Sequence, residues 1–481
     1  MNADPAILEQ LRAMQEQDVP VHGGRTLAYV YDSGLAEADE LGRAAVAAYA
    51  GSNGLDPTAF PSLLTMENEL VGFACDLLDA PESAVGTVTS GGTESVLLAV
   101  QTARDAHPEI DRPRMVLPAT AHAAFHKAAH YFGVEPVVVP VGEDHRADPR
   151  GMAAAIDDRT VLVVVSAPSY AHGVVDPVTP VAAAAAARGV RCHVDACIGG
   201  WVLPYAARLG RPVLPWTFEV EGVTSISVDL HKYAYAPKGT SILLHRTPEL
   251  RRPQFFASAR WPGYTMLNST MQSTKSGGPL AGAWAVVRQI GDAGYLELNR
   301  RMLEGVDRLV AAIDGMDVLH TIARPDSTLV VFGTDDTCDV FTLTDLLSRS
   351  GWYVQPQLSF EGAPPTIHLS VSPATDVDAF VGALREAVAS AVSAGPAQVS
   401  PDMADFVRAL DAATLTDEDF AGLLAAVGMG DGGGLPESMA TVNALLDIAA
   451  PALRETLLTA YLDRLARPVR RGTGSRHTVD P

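Results

Sequence analysis

Two lysines and a histidine share one short loop: His231, Lys232 and Lys238 lie between the apolar runs TSISV and TSILL. An amine delivered to the edge of a buried sheet can lose its proton, because burial and nearby positive charge both disfavour the ammonium form. A free amine is a nucleophile. Most lysines at strand ends are merely solvated, so the reading depends on what else converges on Lys232. Ser90, Gly91, Gly92 and Thr93 form a turn between the β-branched run GTVT and a helix beginning near Thr93 and Glu94. Backbone N–H groups there, with roughly half a positive charge at a helix N-terminus, favour a bound phosphate, although glycine turns before helices are also common on steric grounds. Asp195 closes the apolar strand VRCHVD, where a carboxylate is costly unless it is paired or caps a turn. His122 stands at a helix start, and Ser169 and His172 follow the strand TVLVVVSAP. A nucleophilic lysine, a phosphate cradle, an acid for a protonated ring nitrogen and a flat neighbour are together what pyridoxal 5'-phosphate (PLP) requires.

These residues need a scaffold that brings strand ends together. Val-rich strands (RMVLPA, EPVVVPV, TVLVVVSAP, VRCHVDA) alternate with helices such as AHAAFHKAAHYFG and VTPVAAAAAARG. That alternation describes an α/β fold with a mostly parallel sheet covered on both faces, and ligands bind at the carboxyl ends of such strands. Before it lie a helix over residues 1–20, the segment GGRTLAYVYDSG with Tyr29 and Tyr31 on one side, a second helix, and the Pro-broken loop LDPTAFPS. After it come, within 251–295, an aromatic, Ser/Thr-rich loop and then a helix, followed by a long helix over 296 to about 315 leading to a smaller α+β region. Two acidic helical stretches (396–427 and 439–467) and a basic, polar tail that suits disorder complete the chain. The expected division is 1–70, 71–300, 301–395 and 396–481.

Bulk composition narrows the class. With 47% hydrophobic and 19% charged residues the chain is globular, and no apolar run reaches the ~20 residues of a membrane span. A net charge of −22 argues against nucleic acid as a partner. The N-terminus lacks a secretion-signal layout, which suggests a cytoplasmic protein. Cys75, Cys192, Cys197 and Cys338 have no metal-ligand spacing, and His126 and His130 follow His122 at helical spacing without a carboxylate or cysteine to complete a site. No metal is expected.

Five stretches carry a resemblance to a known family: TSGGTES (89–95), TAHAAFHKAAHYFG (120–133), SAPSYAHGVVDPV (166–178), HVDACIGGWVLPY (193–205) and SVDLHKYAYAPKGTSILL (227–244). In order and spacing the sequence resembles the fold-type I PLP enzymes of the group II decarboxylase superfamily, and within it the bacterial-type sphingosine-1-phosphate lyase branch. The resemblance implies a large domain with a seven-stranded mostly parallel sheet, a smaller α+β C-terminal domain and an added helical extension. It implies that Lys232 carries the cofactor, Asp195 bonds its ring nitrogen and His122 stacks on the ring. His231 and the Ser90–Thr93 turn would hold the phosphate, with Ser169, His172 and Cys197 as further cofactor contacts. Tyr31 and Lys238 match two members of that branch's substrate-phosphate pocket. Asp56 replaces the pocket's histidine, and Lys275 stands where an arginine is usual.

The function implied is PLP-dependent carbon–carbon cleavage of a small amine or amino acid, either decarboxylation of an L-amino acid or retro-aldol cleavage of an amino alcohol. Aminotransfer and a non-catalytic scaffold are the alternatives. A homodimer is expected, with the segment from Tyr31 to Phe60 or the loop around Lys275 reaching the neighbour's site.

Overall fold

The computed structural model describes residues 5–426, 438–466 and 468. Its main sheet contains β1 (Val85–Thr89), β2 (Arg114–Pro118), β3 (Glu135–Val139), β4 (Thr160–Ser166), β5 (Arg191–Asp195), β6 (Ser225–Asp229) and β7 (Ser241–His245). The spatial order is β1-β7-β6-β5-β4-β2-β3, and all neighbours are parallel except that β7 runs against both β1 and β6. This is the mostly parallel sheet that the strand and helix alternation suggests, with the seven strands that the resemblance implies.

Burial explains why these strands are so easily read. Every residue of β4, β6 and β7 is buried, so apolar side chains are required in both directions and the strands become continuous apolar runs. Each fully buried valine, such as Val163 to Val165 in β4, contributes ~1.5–3 kcal/mol. By contrast β3 lies at the edge, with Glu135, Pro136 and Val138 exposed. The helices Gly92–Asp105 and Ala124–Phe132 pack with β2 and β4 through Val96, Val100, Met115, Leu117, Phe125 and Ala128.

Because β1, β2, β4, β5 and β6 point the same way, the loops following them emerge at one edge of the sheet. Asp195 on β5 and Ser227 on β6 are register partners, so the carboxylates of Asp195 and Asp229 leave adjacent strands close together. Asp176 pins the loop after β4. Its carboxylate accepts the N–H groups of Ala147 (2.8 Å) and Ser166 (2.7 Å), while burial pushes its pKa up to about 6.

Outside the main sheet, a helix spans Pro5–Gln15 with no buried residue, shorter than the expected 1–20. Residues 1–4 lie outside the described ones. The helix expected at the end of 251–295 and the long one expected from 296 are a single element, Gly278–Asp314, with a kink at Gly291 (φ 61°). Phe256–Ser258 and Met266–Asn268 pair as an antiparallel hairpin. A second sheet has the order Leu319–Thr321, Leu329–Thr334, Thr366–Ser370, Gln355–Gln357.

The described residues up to 332, with 351–355 and 368–382, form one compact unit, and those of 333–350, 356–367 and from 383 onward form another. In the second unit each acidic helical stretch divides in two, giving Pro401–Ala409, Asp417–Ala426, Ala440–Ile448 and Pro451–Leu465. These helices close on Val407, Leu423, Leu445, Ala449 and Leu453. The expected tail falls almost wholly outside the described residues. Among the described residues no helix is long and apolar enough to cross a membrane.

Candidate active site

At the carboxyl edge of the main sheet lies a cavity of about 330 Å³, walled by Ser90 to Glu94, His122, Pro168, Tyr170, Asp195, Cys197, Asp229, His231 and Lys232, among others. Five loops supply it, so residues far apart in sequence converge because their strands end side by side.

Lys232 Nζ lies 2.9 Å from Asp229 Oδ2. Burial alone would push the lysine pKa down, but the Asp229 carboxylate, joined by Cys197 and Tyr31, raises it above its ordinary value. Burial likewise pushes Asp229 up, while Lys232 and then His231 hold it below the usual carboxylate range. The expectation that the surroundings strip Lys232 of its proton is therefore corrected: the ion pair favours the ammonium. His231 completes this corner, with Nε2 3.7 Å from Asp229 Oδ2 and Nδ1 accepting the Thr240 N–H at 3.2 Å. Burial, opposed by Asp229, keeps the His231 pKa below its ordinary value.

Asp195 is buried, and its Oδ1 accepts the Cys197 N–H at 3.1 Å. The capping role and the availability of the second oxygen thus coexist. Cys197 Sγ lies 3.4 Å from Ser227 Oγ, and burial raises its thiol pKa well above the ordinary value. His122 stands two residues before its helix, with Nδ1 accepting the Ala124 N–H at 3.1 Å and its ring edge-on to Tyr170 at 6.3 Å. His126 and His130 lie on the exposed face of that helix.

The turn before the helix Gly92–Asp105 leaves the first helical N–H groups without intrahelical partners, as at any helix start. Ser90 differs, because its N–H donates to Glu94 Oε2 at 2.6 Å. A phosphate at this turn would therefore meet the N–H groups of Gly91, Gly92 and Thr93 and the Ser90 hydroxyl. Glycine is required at position 92: a Cβ there would come within 2.8 Å of both Asp229 carboxylate oxygens and of Cys197 Sγ. Asp229 Oδ1 is buried without a hydrogen-bond partner. A helix-end anion cradle facing a lysine across a polar cavity, with a second buried acid beside it, fits PLP.

Ser169 and His172 do not line the cavity. Ser169 is fully buried, and its backbone closes the loop by hydrogen bonds with Val174 and Gly173 (both 2.9 Å). His172 stacks on His145 (4.2 Å between ring centres), and burial pushes its pKa down to about 4. The residues of that loop on the cavity wall are Pro168 and Tyr170.

The substrate candidates divide. Tyr31 packs edge-on against Tyr233 at 4.9 Å, and Lys238 Nζ lies 4.9 Å from the Tyr31 ring centre. Lys238 Nζ also donates to the carbonyls of Tyr29 (3.2 Å) and His231 (3.1 Å). The residue as a whole is exposed, yet partial burial with nearby Lys232 pushes its pKa down to about 8. Asp56 is elsewhere engaged. Its Oδ1 accepts from the Thr58 N–H (2.9 Å), the Thr58 hydroxyl (2.6 Å) and the Ala59 N–H (3.3 Å), and Thr58 holds the carboxyl below its usual range. Among the described residues no ion pair joins Asp56 to Lys238. Lys275 lines a separate, larger cavity of about 870 Å³ with the 54–60 loop, and only Ser90 belongs to both walls.

Three cavity residues with polar side chains were not among the sequence candidates. Asp229 carries the signal that exposed Asp195, a carboxylate closing an apolar strand. Tyr170 is an ordinary loop aromatic, and Glu94 reads as an acid complementing a helix N-terminus.

Residues 36–334 match the pyridoxal-dependent decarboxylase conserved domain. The chain belongs to this family. Residues 401–464 match a second description, the C-terminal putative HTH domain of pyridoxal-dependent enzymes. A sphingosine-1-phosphate lyase of Arabidopsis thaliana is 37% identical over 83% of this chain and 74% of its own length. A probable L-tyrosine/L-aspartate decarboxylase of Methanocella arvoryzae is 30% identical over 69% of this chain and 86% of its own. Among solved structures, the sphingosine-1-phosphate lyase of Burkholderia pseudomallei superposes with a TM-score of 0.77 at 32% identity, covering 82% of this chain and 92% of that one. The cofactor of this family member is PLP, and the protein is a PLP-dependent lyase of the group II decarboxylase fold.

Proposed function

We propose that this lyase cleaves a carbon–carbon bond in a phosphorylated amino alcohol, releasing an aldehyde. The observation that carries the reading is Lys238: its ammonium sits against Tyr31 and two carbonyls, and among the described residues no carboxylate pairs with it. A cation without an acid invites an anionic substrate group, and Asp56, which stands in place of the pocket's histidine, spends its carboxylate on its own loop.

When bound, PLP supplies an electron sink for the pair left behind as a bond to the amine-bearing carbon breaks. Lys232 would hold the cofactor covalently, and afterwards its Nζ would hold and move a proton, with Asp229 fixing its position. Asp195 would hold a proton at the ring nitrogen, and His122 would orient the ring by stacking. The N–H groups of Gly91, Gly92 and Thr93, with His231, would bind the cofactor phosphate, and Cys197 would wall the ring side. Tyr170 would exclude water at the cavity mouth. Tyr31 and Lys238 would bind the substrate anion, with Lys275 a further cation for it.

Decarboxylation of an L-amino acid is the second reading, since Lys238 would bind a carboxylate by the same charge, and the Methanocella relative bears a decarboxylase's name. Incubation of the PLP-loaded protein with phosphorylated amino alcohols and with L-amino acids separates the two. Aldehyde release from the former supports the proposal, and carbon dioxide from the latter alone overturns it.

We also infer a homodimer. The Pro5–Gln15 helix exposes Ile7, Leu8, Leu11 and Met14, and the segment holding the hairpin exposes Phe256, Trp261, Tyr264 and Leu267, apolar surfaces that a second copy would cover. Residues 1–70 and the Lys275 loop would meet the partner there. The four unpaired cysteines suit a reducing compartment, the cytoplasm.

A further inference from the structure

Glu94 is buried in the first turn of the helix Gly92–Asp105, and each of its oxygens takes a backbone N–H from a different place. Oε2 accepts from Ser90 at 2.6 Å, within the turn assigned to the cofactor phosphate. Oε1 accepts from Met271 at 2.9 Å, 177 residues away. The first bond is what an acid at the third helical position commonly does, reaching back to satisfy a free N–H. The second has no such local explanation. Met271 heads the stretch Met271–Gly277, and Gln272 to Gly277 of it wall the larger cavity together with Thr89, Ser90 and Thr240.

We infer that Glu94 is a positioning residue that clasps the Met271–Gly277 loop to the cofactor turn, so that filling the turn also orders the loop that carries Lys275. An anion at Gly91–Thr93 fixes the turn's backbone, the turn fixes Ser90, and the carboxylate transmits that order to Met271. The acceptor is a buried carboxylate and both hydrogen bonds are part-buried, so each is stronger than a bond between exposed neutral groups. The inference rests on the proposed phosphate site.

The test is amide hydrogen exchange on the full-length protein, with and without PLP, followed in peptides spanning 88–96 and 269–277. In the wild type, PLP is expected to slow exchange in both, by roughly tenfold or more at the Met271 amide. Glu94→Gln replaces one acceptor by a donor that cannot receive either N–H. Met271→Pro removes the loop's donor, and fixes φ there, without touching Glu94 or Ser90, so in it the readout is the remaining amides of 272–277; it keeps the test available if the first variant misfolds. In both variants PLP is expected to protect 88–96 and no longer 269–277. Protection of 88–96 alone in the wild type, or undiminished protection of 269–277 in the variants, would overturn the clasp and leave the phosphate site standing. Absence of protection at 88–96 in the wild type would overturn the phosphate site itself.

Discussion

Lys232 and Lys238 stand on one loop, and their surroundings drive them in opposite directions. Asp229 is 2.9 Å from Lys232 and holds it protonated. Lys238 has carbonyls and an aromatic ring about it instead, and its pKa falls to about 8. Dipoles and a ring face offset burial less than a full charge does. The difference assigns different work: a lysine tied to an acid is held in place, whereas one without an acid is open to an incoming anion.

The largest effects belong to the tied side. Lys232→Ala is expected to abolish covalent retention of PLP and to lower turnover by ~10⁴-fold, the upper range for a positioned proton-transfer group. Borohydride reduction followed by mass analysis checks it, and a PLP adduct surviving in the variant would reassign the lysine. Asp195→Asn should cost ~10²–10³ in kcat, as loss of one electrostatic stabiliser does, with PLP still bound. Asp229→Asn tests the comparison directly by making Lys232 resemble Lys238. In the wild-type apoprotein the free-amine fraction of Lys232 should keep rising, roughly tenfold per pH unit, across the neutral range, because its pKa lies above the ordinary value. With the acid gone, burial should win and PLP uptake should level off at a lower pH. Unchanged pH profiles would mean that Asp229 does not govern the lysine.

What the sequence discloses tracks burial. Strands β4, β6 and β7 are legible because full burial admits little but apolar residues, and Asp195 is legible because it breaks that rule at a strand end. Asp229 breaks the same rule three residues before Lys232 and could have been found by the same signal. The Glu94–Met271 contact could not, since nothing local links a helix-start acid to a backbone N–H far along the chain. Ser169 and His172 follow a strand whose end does reach the cavity, but their loop turns back on itself and offers Pro168 and Tyr170 instead. Asp56 stands where the resemblance implies a pocket histidine, whereas Asp-Pro-Thr is also a turn opener whose side chain bonds its own backbone.

On the open side the expected effects are smaller and lie in binding. Below about pH 8 free Lys238 is charged and can hold an anion, and above it the charge is lost, so kcat/KM for an anionic substrate should fall as pH rises through about 8. A bound anion raises the lysine's pKa, so kcat should fall only at higher pH. Lys238→Met should raise KM by ~10–100-fold, the range of one charge-assisted hydrogen bond, and remove the inflection near 8. An inflection that survives in this variant would belong to another group.

The smallest effect is expected at Asp56, and it bears on the choice of substrate. Its carboxylate is exposed and already accepts three hydrogen bonds from Thr58 and Ala59. Asp56→Asn keeps an acceptor for those donors and removes only the charge. If Asp56 serves its own loop, KM for a phosphorylated amino alcohol should change by less than about twofold, within the scatter of surface substitutions. If instead the loop reaches a neighbouring subunit's site, removing a negative charge beside a bound phosphate should lower KM clearly, and removing it beside a substrate ammonium should raise it. The sign of a large change would then identify the group that Asp56 faces, and the comparison between a paired and an open lysine would need a third partner contributed by the second copy.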